Sequence, residues 1–191
     1  MLNKIQLCAR ALLLIGCDPI TSFADGTAEA DVAALLYEPS RDALLSSHPW
    51  SFATGLIELS PVTSVPLADF SAAYQLPEDF LRVLSLGAAS RGTGRGMTYR
   101  IRERRICCDE TGGVILTYVF RPAETTFPPF FDQALIARLS ADFCLPLTEN
   151  SERTRMQFDL AEAAWKRAKT IDAQQQTPQV VEDFGLIEVR R

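Results

Sequence analysis

Two changes of hydrophobic period divide this chain of 191 residues. Up to Pro49 the apolar residues recur at helical spacing. From Ser51 to Phe127 short β-prone runs alternate with turn residues, and from Pro128 the helical spacing returns. Helices bury a 3.6-residue period and strands a two-residue period, so each block commits to one kind of element. Helices at both ends of a chain can close on one another and carry the strands between them. The expected class is α+β. An antiparallel bundle of about four helices is drawn from residues 1–50 and 128–173, with an inserted antiparallel β-meander at 51–127 and an extended C-terminal docking arm at 174–191.

Asn3 is positioned to cap a first helix, Ile5, Ala9, Leu12 and Ile15 repeat along it, and Gly16 stops it. Asp18-Pro19 and Asp25-Gly26 mark a loop. Thr27 then caps a second helix, whose expected buried stripe is Val32, Leu35, Leu36, Ala43 and Leu44. Pro39 lies inside that pattern, removes a backbone hydrogen bond and predicts a kink near Leu36. The strand-like runs are Phe52–Leu59, Arg82–Leu86, Met97–Arg102, Arg105–Cys108 and Val114–Phe120, separated by Gly- and Pro-rich turns. Phe131, Leu135, Leu139 and Phe143 predict a third helix that stops near Pro146.

Asn150 caps a long fourth helix through about Ala173, and this helix carries two apolar stripes. Met156, Leu160, Ala164 and Ile171 form one. Phe158, Ala161, Trp165 and Ala168 form the other, on roughly the opposite side. A helix wanted on two sides is either central in its own bundle or shared with a neighbouring subunit. Beyond it, Val180 to Arg191 alternates Phe184, Leu186, Ile187 and Val189 with charge, too apolar for a plain solvated end. It reads as an arm that docks on a partner or as a last strand on its own sheet.

The chemistry that composition permits is limited. The only histidine, His48, precedes Pro49 at a helix end, where a structural role is expected. Five cysteines without CxxC spacing make neither a disulfide framework nor a zinc site, and buried free thiols are expected. Gly92-Thr93-Gly94-Arg95-Gly96 lacks the Lys-Ser/Thr of a phosphate loop and precedes a strand. No catalytic, cofactor or metal residues are assigned, and the reading is of a non-enzyme. No stretch has the length of a membrane span, and a cytoplasmic product is expected.

The formal net charge of −5 argues against a dedicated nucleic-acid binder. Yet sixteen arginines stand against three lysines, and six of those arginines fall between Arg91 and Arg105. Arg100, Arg102 and Arg104 alternate on one expected strand face. That face is solvated, meets an acidic protein partner, or lies near passing DNA.

Four blocks taken together resemble the phage head-to-tail connector family, the adaptors of the tail tubular protein A type. The first runs from Ala11-Leu12-Leu13-Leu14-Ile15-Gly16 through Pro19-Ile20, Asp25-Gly26-Thr27, Leu36-Tyr37 and Arg41-Asp42 to Pro49-Trp50-Ser51-Phe52-Ala53. The second is Tyr74-Gln75-Leu76-Pro77-Glu78-Asp79-Phe80-Leu81-Arg82-Val83. The third is Leu116-Thr117-Tyr118-Val119 with the Phe- and Pro-rich link from Phe127 to Phe131, and the fourth is Ala134 to Phe143. The likeness spans nearly the whole chain. The Arg-rich hairpin and the particular C-terminal arm lie outside it.

The resemblance implies a virion structural protein in the phage neck or tail, present in the host cytoplasm during assembly. It would be a homo-oligomeric ring, typically a dodecamer, between the portal protein and a tail nozzle or stopper protein. Genomic DNA would pass through its lumen in transient contact. Portal contact is expected through Val180, Val181, Phe184, Leu186, Ile187, Val189, Arg190 and Arg191. Subunit contact is expected through Phe158, Ala161, Trp165 and Ala168. The tail side or lumen is expected to present Arg91, Arg95, Arg100, Arg102, Arg104 and Arg105. The competing readings are a tail-completion or stopper protein on a preformed adaptor, and a small nucleic-acid-binding regulator.

Overall fold

The computed structural model describes residues 2–63, 69–91 and 94–175. It is a mixed helical and β structure of four long helices and two small antiparallel sheets.

The capping residues act as their sequence positions require. Helix α1 spans Lys4–Leu14 and opens on a capping box: the Asn3 side chain accepts from the Gln6 N–H at 2.8 Å, and the Gln6 side chain accepts from the Asn3 N–H at 3.1 Å. It ends at Gly16, whose φ of +74° is a left-handed geometry that costs glycine little. Helix α2 spans Ala28–Ser46, capped by the Thr27 hydroxyl. Helix α3 spans Pro129–Thr148, and α4 spans Ser151–Ala173 behind an Asn150 cap.

The buried faces differ from the expected stripes in detail. In α1 they centre on Leu7, Cys8, Ala11 and Leu12, with Ile5 and Ala9 only half-buried. In α2 the interior side is Ala30, Ala33, Tyr37, Ser40, Arg41, Leu44 and Leu45, whereas Leu35 is 74% exposed and Ala43 is exposed. Small and hydrogen-bonded polar side chains let α2 approach its neighbours there, so an apolar stripe alone misplaces the face. Pro39 sits on the outer side of a helix that runs on past it. Pro146 likewise lies inside the last turn of α3, which stops at the left-handed Glu149 rather than at the proline.

Helix α3 packs against each of the other three helices. Its Phe131, Leu135, Leu139 and Phe143 are fully buried. The helix that the other three share is thus α3, not α4.

Among the described residues, six strands lie between the helix pairs: β1 Thr54–Leu59, β2 Ala72–Gln75, β3 Phe80–Ala88, β4 Arg100–Arg102, β5 Arg105–Cys108 and β6 Val114–Phe120. They form two three-stranded sheets, ordered β1-β6-β3 and β2-β5-β4, in place of a single meander. All pairings are antiparallel. Strand β6 fills the centre of the first sheet. Among the described residues, β2 is the strand the hydrophobic pattern misses.

The two parts have separate cores that β3 and β6 bridge. Leu86, Val114 and Leu116 face the core between the sheets, with Tyr74, Ile106 and Cys108. Leu81, Leu84 and Val119 turn instead to the helical core. At the junction, Phe131 receives three rings: Trp50 at 5.2 Å, Phe52 at 5.0 Å and Phe127 at 4.9 Å between centroids, all edge-on. An ion-pair network fastens the same junction. Buried Arg41 donates to Glu124 and to Asp42, both at 2.9 Å, and Arg121 holds Asp42 at 2.6 Å. Among the described residues, no helix is long and apolar enough to cross a membrane.

Candidate functional site

Helix α4 is the element on which candidate contacts concentrate. Its inner face is Thr154, Gln157, Ala161, Ala168 and Asp172, a stripe more polar than apolar. Gln157 accepts from the Ser140 hydroxyl of α3 at 3.2 Å. Asp172, only 2% exposed, accepts from the Ser51 N–H at 3.1 Å and from the Ser51 hydroxyl at 2.6 Å. The last turn of α4 is thereby tied to the start of the β region.

Two flanks remain on either side of this inner face. On one, Phe158 and Trp165 border a groove of about 320 Å³ between α2, α3 and α4, floored by Ala43, Leu44 and Ala161. Trp165 donates its indole N–H to the Ser47 hydroxyl at 3.1 Å. Arg138 lies over the Phe158 ring and Lys169 over the Trp165 ring, at 5.4 and 4.2 Å from the centroids. On the other flank, Met156, Leu160 and Ile171 are 53, 54 and 37% exposed. The two expected stripes are therefore real and unequal. Of the four residues expected at a subunit contact, Ala161 and Ala168 are buried within the chain itself, at 6 and 1% exposure, and only Phe158 and Trp165 reach the surface. The exposed stripe is the one that was not assigned to that contact.

The Arg-rich hairpin departs from its expected geometry. Strand β4 pairs with β5 through a two-residue turn, Glu103-Arg104, both with positive φ. Arg104 is thus a turn residue and does not continue the face of Arg100 and Arg102; its guanidinium donates to the Pro77 carbonyl at 3.1 Å. Arg100 and Arg102 converge on one carboxylate, Asp69, at 3.3 and 3.1 Å. Arg95 is exposed and Arg105 half-buried at the start of β5, while Arg91 ends the short turn after β3. The portal-side residues Val180, Val181, Phe184, Leu186, Ile187, Val189, Arg190 and Arg191 lie outside the described residues.

His48, Ser51 and Asp172 form a polar cluster whose geometry differs from a catalytic relay. The carboxylate stands between the other two, with His48 Nε2 at 3.6 Å from it, and the serine hydroxyl is bonded to Asp172 rather than to the imidazole. Burial lowers the His48 pKa, aided by Lys169 and Arg82, and outweighs the opposing pull of Asp172. The cysteines are packing groups: four are buried, and burial pushes the Cys8 thiol up to about 12.

The groove and the polar inner face of α4 carried no sequence signal of their own. The groove draws residues from three helices, and a Thr, a Gln and an Asp at helical spacing read as a solvated side. No protein-family model matches the chain, and none of the curated proteins matches it significantly in sequence.

Proposed function

We propose that this protein is a phage head-to-tail adaptor: a virion structural protein that forms a ring between the portal and the next tail component. The resemblance of its four sequence blocks is the origin of the reading. The observation that carries it furthest is the division of α4 into a grooved flank and an exposed apolar flank on one protomer. A ring requires two different surfaces on every subunit, and α4 offers two.

The blocks that carry the resemblance support the same reading through their scaffold role. Arg41-Asp42, Trp50 and the Phe127-to-Phe131 link meet at the junction between the helices and the sheets. A subunit of a load-bearing conduit needs that junction fixed. The finer architecture proposed is a four-helix bundle with the β part carried toward the tail and residues 180–191 reaching the portal. The experiment is a mass measurement of the chain with and without the purified portal ring encoded by the same genome. A stoichiometric ring on the portal is the expected result.

The nucleic-acid-binding regulator is the less favoured reading. Asp69 offsets one of the two charges of Arg100 and Arg102, and the chain as a whole carries a formal net charge of −5, which works against phosphate binding. A portal-indifferent monomer that retards DNA at physiological salt is the result that would favour it.

A further inference from the structure

We infer that in the free chain the C-terminal tail folds back along α4 and seats Phe184 in the α2–α3–α4 groove of its own protomer. Residues 176–191 lie outside the described residues. The occupant is specified by where the chain leaves α4, how far it reaches and what charge it carries.

The point of departure is at one end of the groove. Phe158, Ala161, Trp165, Lys169 and Asp172 follow at steps of three and four residues and so share one face of α4. That face leads from the groove to the last turn of the helix. There Asp172 accepts from the Ser51 hydroxyl at 2.6 Å, and the same hydroxyl lies 3.5 Å from the Gln175 side-chain oxygen. Trp165 and Lys169 stand between, the indole N–H on Ser47 and the ammonium over the indole ring.

Reach fits the groove. Thr177-Pro178 favours a turn or an extended step after the helix. An extended chain covers about 3.3 Å per residue against about 1.5 Å for the helix beside it. Running back from Pro178 it brings Glu182 about level with Lys166, and Phe184 about level with Glu162. Glu162 lies between Phe158 and Trp165, the walls of a groove of about 320 Å³ floored by Ala43, Leu44 and Ala161. Leu186, two residues on, falls on the same side of an extended chain as Phe184 and follows it in.

Charge fits the direction of travel. Among the described residues Lys169 is in no ion pair, whereas Arg138 on the lining is held by Asp142, and Glu162 by Lys166. Glu182-Asp183 reaches the Lys169 end just before Phe184 enters. The acidic pair thus meets an ammonium without a carboxylate of its own, and Asp159 lies farther along, beside Phe158.

Docking takes Phe184 and Leu186 out of water and fills the groove. One consequence rests on the adaptor reading. The portal, by binding the tail, draws it out and empties the groove for a neighbouring subunit, so free chains stay apart and ring growth waits for the portal.

The test is paramagnetic broadening in the full-length, isotope-labelled chain without portal, in a Cys17→Ser background that leaves the four buried cysteines in place. A nitroxide is attached at Lys166→Cys, an exposed position beside the groove and off its lining. The amide signals of residues 182–187 should lose most of their intensity. Phe184→Ala should weaken docking about tenfold and return those signals. Lys169→Glu should weaken it about threefold, and adding Glu182→Lys should restore it. Full-intensity signals from residues 182–187 in the parent chain would overturn the inference, as would broadening that Phe184→Ala leaves in place. A nitroxide at Glu78→Cys, in the exposed turn before β3, should leave the tail signals sharp. Equal broadening from the two positions would place the tail off the groove and overturn the inference. A mixture of nitroxide-bearing chain without isotope and labelled chain without nitroxide reads contact between copies. Broadening there as strong as within one chain would assign the tail to a neighbour's groove and overturn the inference too. Because no portal is present, an undocked tail leaves the adaptor reading standing, and a docked tail on a chain that ignores the portal removes only that reading.

Discussion

Asp172, on the last turn of α4, holds both the backbone N–H and the hydroxyl of Ser51, a residue 121 positions earlier in the chain. This pair joins the end of the helical part to the beginning of the β part. Asp172→Ala leaves a half-buried N–H without its partner and should cost about 2 kcal/mol in urea unfolding. A double-mutant cycle with Ser51→Ala should return a coupling of about 1 kcal/mol. Additive effects would mean that the contact contributes nothing as a pair.

His48 makes the same cluster pH-sensitive. Burial lowers its pKa, so the folded chain binds fewer protons here than the unfolded chain does. Stability from this group is then lost as pH falls through the unfolded value of about 6.5 and levels off below the folded value. Replacement by Gln should flatten the stability profile in that window. An unchanged slope in denaturation curves from pH 7 to 5 would contradict the assignment.

The Arg41 network predicts a second and lower window. Burial alone would raise the Asp42 pKa, but hydrogen bonds from Arg121 and Arg41 outweigh it and hold the carboxyl below its usual range. Glu124 is likewise held low against burial, by its own backbone N–H and by Arg41. Depressed carboxylates stabilise the fold above their unfolded values of about 4 and lose that contribution as pH falls through the folded values. Arg41→Ala should destabilise by about 3 kcal/mol at pH 7, since it takes the cation from Glu124 and leaves Asp42 to Arg121 alone, and should shrink the acid-dependent loss. Calorimetry from pH 7 down to pH 2 reads both effects.

Trp50 is fully buried, donates its indole N–H to the Leu44 carbonyl at 3.1 Å and stacks edge-on with Phe131. Trp50→Ala should cost about 4 kcal/mol by opening a cavity at the junction. Trp50→Phe should cost about 1 kcal/mol by removing the hydrogen bond while keeping most of the volume. Equal losses for the two variants would show that packing at this site is unimportant.

What the sequence discloses about this fold follows from how local each cause is. Asn3, Thr27 and Asn150 cap their helices through neighbours three residues away, so those starts were legible. The arrangement of strands was not, because β6 pairs with β1 and β3 across distant stretches of the chain, from Ala88 with Val114 to Thr54 with Val119. Strand β2 begins Ala72-Ala73, weak β-formers that only the pairing with Cys107 and Cys108 commits to a strand. The α4 flanks were visible as two stripes. Which one the other helices would cover was decided by polar residues of the inner face, Gln157 and Asp172, whose partners lie on α3 and at Ser51. Arg104 was misplaced for a similar reason: the hairpin turn at Glu103-Arg104 breaks an alternation that the sequence alone continues.

The proposed adaptor role is tested most directly by the mass of the assembly formed when the full-length chain meets the purified portal ring of its own genome. The account predicts a closed ring bound to the portal, with a fixed whole-number ratio of this chain to portal subunits and no ring on the portal for a chain lacking residues 180–191. A monomer whose mass is unchanged by the portal at any ratio would contradict it.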